Sequence, residues 1–213
     1  MNTPATPDFN EKHSAGIRIW HWLFFLLITA AMVTVLLAST TFRTGNNTEM
    51  VRQQLEKKQL VADKDQSRAV AHAFSDKLWE LHTYIGYFIA AFLLARLILE
   101  LVQPQEEKLR NRLKQARMAD SRRQQEMRHY VMVKRVYLVF YALILIMAIT
   151  GLGLAFEDVP LFRDMRKVLK QIHSLTQYGI YAFVLFHLVG VIVADAGEYP
   201  GLVSGMIHGK RRN

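Results

Sequence analysis

Four histidines, His21, His82, His173 and His187, lie within or at the edge of long apolar stretches in a chain of 213 residues. An ionisable ring in such surroundings is costly and marks a functional site by default. Neutral imidazole carries one N–H and one lone pair, so its chemistry in an apolar interior is metal ligation or proton relay. His173 and His187 stand fourteen residues apart in IHSLTQYGIYAFVLFH (172–187). At ~100° per residue, fourteen residues fall about 40° short of four turns, so both rings share one helix face, about 21 Å apart along the axis. One helix can therefore serve two centres stacked at different depths. The other histidines, His13, His72, His129 and His208, lie in polar loops or termini and read as solvated side chains.

The elements that must position the four rings are apolar runs: IWHWLFFLLITAAMVTVLLA (19–38), YIGYFIAAFLLARLIL (84–99), VYLVFYALILIMAITGLGLAF (136–156) and YGIYAFVLFHLVGVIVA (178–194). Each, with its flanks, is long enough to cross about 30 Å of hydrocarbon. A soluble bundle would show polar stripes every few residues, and these runs lack them. The expected fold is therefore all-α and integral to a membrane, a single domain over 1–213 forming a four-helix bundle with spans at about 17–38, 79–102, 132–156 and 170–194. The first run is too long for the apolar region of a signal peptide and reads as a retained span.

The spans leave an outer loop (39–77), a basic loop (103–131) and a short third loop (157–170). The first loop carries seven basic and five acidic residues, the third four and three, whereas 103–135 carries ten basic against four acidic residues. Basic loops stay on the cytoplasmic side, so the basic loop and both termini are expected inside, in a bacterial inner membrane. The middle of the first loop, TEMVRQQLEKKQLV, reads as a helix with Thr48 as its N-cap. Leu109, Leu113 and Ala116 recur at helical spacing among Lys and Arg, as in a helix lying on anionic headgroups. A membrane tether argues against nucleic acid as the partner of that basic patch.

Topology sets the depth of each ring. His21 falls near the inner face, His82 and His173 near the outer face, and His187 in the inner half. Two imidazoles at each depth suit two metal centres, each clamped from two helices. A flat apolar macrocycle with two axial imidazoles, haem, suits a bundle interior; zinc would require more ligands at each depth. The chain has no cysteine, which excludes iron–sulfur clusters, covalently attached c-type haem and catalytic thiols. A proton relay commonly recruits Asp or Glu, and none lies mid-membrane; Glu100 is at an inner helix end. An internal echo adds weight: LHTYIGYFIAAFLLARLILE (81–100) parallels IHSLTQYGIYAFVLFHLVGV (172–191), with Arg96 standing where the second copy has His187. Arg96 is thus at the inner pair's depth, where it either snorkels toward Glu100 or pairs with a haem propionate. Gly86, Gly151, Gly153, Gly179 and Gly190 would serve close helix contact, clearance for haem faces, or both.

RIWHW (18–22), LHTYIG (81–86), the His173–His187 pair and the tail PGLVSGMIHGKR (200–211) resemble the bacterial di-haem cytochrome b561-like family, which includes the cytochrome b subunits of nickel–iron hydrogenases and formate dehydrogenases. The resemblance covers all four spans but not the two long loops. It implies two non-covalent b haems with bis-histidine ligation, His82 and His173 on the outer one and His21 and His187 on the inner one, the same pairing the depths give. It also implies electron transfer between a periplasmic-side redox protein or metalloenzyme subunit and membrane quinone. The rival expectation is a free-standing superoxide:quinone oxidoreductase, with Arg163, Arg166, Lys167 and Lys170 drawing the anion to the outer haem, although Glu157, Asp158 and Asp164 dilute that field. A non-redox transport or scaffold bundle leaves the four histidines unexplained.

Overall fold

The computed structural model describes residues 15–102, 124–197 and 200–209. Every regular element among them is helical: α1 (Ala15–Ser39), α2 (Thr44–Lys57), α3 (Lys64–Val102), α4 (Gln124–Ala155), α5 (Pro160–Ala196) and α6 (Leu202–His208). Helices α1, α3, α4 and α5 are each long and apolar enough to cross a membrane. The fold is all-α with four membrane spans. Of the basic loop, residues 103–123, with Leu109, Leu113 and Ala116, lie outside the described residues, and 124–131 belong to α4.

Helices α3 and α5 begin well before their apolar stretches. At 1.5 Å per residue, α3 and α5 are each roughly 55–60 Å long, nearly twice the hydrocarbon thickness. Helix α3 starts at Lys64, inside the segment expected as outer loop, because Asp63 and Gln66 form a reciprocal capping box. The Gln66 N–H donates to Asp63 Oδ1 at 2.7 Å, and the Asp63 N–H donates to Gln66 Oε1 at 3.1 Å. Its first turns then bury a stripe of small residues, Ser67, Ala71 and Ser75, and pair His72 with Asp76 and Lys77 with Glu80 on the exposed face. Helix α5 starts at Pro160, so the third loop shrinks to a turn. Val159 is extended, and Pro160 in the first turn has its ring dihedral pre-set for a helix while its missing N–H costs nothing there.

Helix α2 occupies the middle of the first loop but does not start at Thr48. It begins at Thr44, and the Thr48 hydroxyl donates back to Thr44 O at 2.8 Å. Arg43 holds the N-cap position without a side-chain cap. Along α2, Arg52 bridges Glu49 and Glu56, and its hydrogen bond holds the Glu49 carboxyl below the usual glutamate range.

By packing, the chain divides into two compact units, Leu23–Ala90 and Met1–Trp22 with Ala91–Asn213. In the first, Phe24, Ile28, Thr34 and Ala38 are the buried positions of α1. In the second, α4 packs along α5. A Cβ on Gly151 would meet His173, one on Gly179 would meet Leu143, and Phe140 stacks on Phe183; position falls on one helix as it rises on the other, so the two run antiparallel. Within the same unit, Trp22 Nε1 donates to Met206 O at 3.1 Å and Asp195 Oδ1 accepts from the Val203 N–H. The Arg18 guanidinium fills the space a side chain at position 209 would need, and Gly209, at φ +77°, sits where glycine is favoured. The start of α1 and helix α6 thus share one end of this unit.

Candidate functional site

The RIWHW segment opens α1, and His21 is one residue before the Trp22 that anchors α6. Across this unit the His21 and His187 rings approach to a centroid separation of 6.3 Å, tilted by 54°. One ion bound by both rings through bonds of about 2.0–2.1 Å, with each centroid roughly 1.1 Å behind its nitrogen, requires about the same separation. The two imidazoles therefore fit a single metal between them. Phe183, one turn before His187, stacks on its ring at 5.9 Å with planes within 7°, and Trp22 stands edge-on to His21 at 5.5 Å.

His82 and His173 are held alike, each in its own unit. In the Leu23–Ala90 unit, Thr34 Oγ1 on α1 lies 2.9 Å from His82 Nδ1 on α3, and Trp79 stands edge-on to the ring at 5.8 Å. In the other unit, Thr150 Oγ1 on α4 lies 2.9 Å from His173 Nδ1 on α5. Gly151 lets α4 come this close, since a Cβ there would stand 3.2 Å from His173 Cε1. Gly153 and Gly179 serve the same helix contact, against Leu169 and Leu143. At Gly86 and Gly190 a Cβ would meet nothing within 4 Å, so the contact explanation does not extend to them.

Arg96 carries an ion pair. Its Nη1 lies 3.3 Å from Glu100 Oε2, one turn on, which is the snorkelling partner the spacing allows. A guanidinium has five N–H donors, so this single contact leaves the fork able to take a second acid. In the third loop, Arg166 pairs with Glu157 at 2.9 Å and Arg163 donates to Asp158 O, so two of the four cations there are already engaged with acidic or carbonyl oxygens. No cluster of three or more His, Cys, Asp or Glu suited to a metal ion occurs among the described residues; the His21–His187 pair suits a metal that brings its other ligands with it.

A family model described as prokaryotic cytochrome b561 matches residues 12–209. The chain belongs to the prokaryotic cytochrome b561 family. It is a multi-pass bacterial membrane cytochrome that binds haem b and transfers electrons. No curated protein and no solved structure matches it. The match runs from before His21 to beyond His187 and includes Thr34, Thr150 and the α6 tail. The two threonines are not among the residues that sequence reasoning singles out; each is a hydroxyl in an apolar span, which marks the residue but not the ring it meets.

Proposed function

We propose that this cytochrome holds two b haems, one between His21 and His187 and one between His82 and His173, and conducts electrons across the membrane. The observation that carries the reading is the 6.3 Å separation of the His21 and His187 rings, supported by the matching threonine contacts at His82 and His173. The His82–His173 pairing rests on the membrane depths that the four spans imply. When bound, haem supplies the one-electron iron couple. The chain's part is to ligate it through neutral imidazoles, exclude water and set its potential through burial and nearby charge. Arg96 is the proposed partner of an inner-haem propionate, sharing its fork with Glu100.

On this reading the outer haem, facing the periplasm with the termini inside, exchanges electrons with a periplasmic-side redox protein, and the inner one with membrane quinone. The chain is then the electron-transfer subunit of an oxidoreductase complex, of the hydrogenase or formate dehydrogenase cytochrome b kind. Helix α2 and the long polar start of α3 give the loop 39–77 a structured surface on the outer haem's side, suited to docking such a partner. The rival superoxide reading draws less support, because Arg163 and Arg166 are engaged within the third loop. Purification from native membranes distinguishes the two. A co-purifying metalloenzyme that reduces or oxidises the haems is expected; a chain isolated alone whose haems are reduced by superoxide would favour the rival.

A further inference from the structure

We propose that Thr34 and Thr150 are positioning residues that fix the tautomers of His82 and His173, so that Nε2 of each ring is the ligating nitrogen. The inference rests on the reading of His82 and His173 as haem ligands. A threonine hydroxyl has one proton to donate and two lone pairs. Thr34 gives its proton to Ala31 O, 2.7 Å away in its own helix. Thr150 gives its proton to Ile146 O at 2.6 Å, with Met147 O at 3.3 Å. Both threonines are nearly sealed from solvent, at 5% and 4% exposure, and back-bonding to a carbonyl of the preceding turn is how a hydroxyl in an apolar helix satisfies itself.

With the proton committed, each Oγ1 can meet the ring at 2.9 Å only as an acceptor. The Nδ1 of His82 and of His173 must therefore carry the N–H. A neutral imidazole protonated at Nδ1 has its lone pair at Nε2, which is the atom that would ligate iron. The chain of donation runs from ring N–H to threonine oxygen and from threonine hydroxyl to main-chain carbonyl. It is the same in both units, on different helices and with different carbonyl offsets. An acceptor at the distal ring nitrogen also makes the ligating nitrogen more basic, which favours the oxidised iron and holds the potential down.

The test uses the full-length, haem-loaded protein with Thr34→Val, Thr150→Val and the corresponding Ser variants. Valine matches threonine in shape and removes the hydroxyl, and with it both the ring's acceptor and the donor to the main-chain carbonyl. Each Val variant should retain the haem of its histidine about tenfold less tightly or worse, and should raise the midpoint potential of that haem alone. Each Ser variant should restore both properties. Val variants whose haem retention and potentials equal wild type, in a protein where His82→Ala and His173→Ala do remove a haem, would overturn the inference and leave the ligand reading standing. Histidine variants that keep full haem content would overturn the ligand reading and the inference with it.

Discussion

His21 and His187, on the first and fifth helices, bring their rings to 6.3 Å between centroids, the spacing that two imidazoles sharing one metal ion would have. The same helix that presents His187 presents His173 fourteen residues earlier, on nearly the same face. On the proposed reading, that arrangement would let one helix contribute to two haems about 21 Å apart.

The pairing has a direct genetic signature. Replacing His21 or His187 with Ala should remove one spectral component of the reduced-minus-oxidised difference spectrum, the same one in both variants. Replacing His82 or His173 should remove the other. His72, which pairs with Asp76 on the exposed face of α3, should be replaceable without spectral change. Loss of one shared component in the His21 and His82 variants would contradict the assignment.

Gly151 is the tightest point beside His173. A Cβ at 3.2 Å from Cε1 meets a ring already tied to Thr150, so Gly151→Val should push His173 off its position. We expect a changed spectrum for the His173 haem and a stability loss of about 1–3 kcal/mol, the usual cost of overpacking a tight contact. Gly153→Ala meets the flexible end of Leu169 instead, and should lower thermal stability slightly while leaving both haem spectra as they are.

The membrane spans were plain in the sequence because nothing else accounts for four apolar runs of that length. Their polar ends were not. The Asp63–Gln66 cap and the stripe Ser67, Ala71 and Ser75 extend α3 through residues whose charges read as loop, and Pro160 extends α5 in the same way. The four histidines stood out by residue type, since an ionisable ring in hydrocarbon needs a reason. Their threonine partners did not. Thr34 and Thr150 lie 48 and 23 positions from the rings they contact, and a lone threonine in an apolar span gives no sign of which neighbour it will meet. Thr48 is not a cap because the helix already starts at Thr44, whose carbonyl accepts its hydroxyl.

Arg96 separates two roles by potential. If its guanidinium serves an inner-haem propionate as well as Glu100, the positive charge favours the reduced haem. Arg96→Gln should then keep both haems and lower the midpoint potential of the His21–His187 haem, with the other unchanged, in a potentiometric titration. Unshifted potentials at both haems would leave Arg96 as an anchor paired with Glu100 alone.

Two haems per chain, each clamped by two histidines, is a stoichiometry that can be counted. A pyridine haemochrome assay against protein mass, on folded protein supplied with excess haem, measures it most directly. Saturation at two b haems per chain is the expected result; saturation at one or at none would contradict the account.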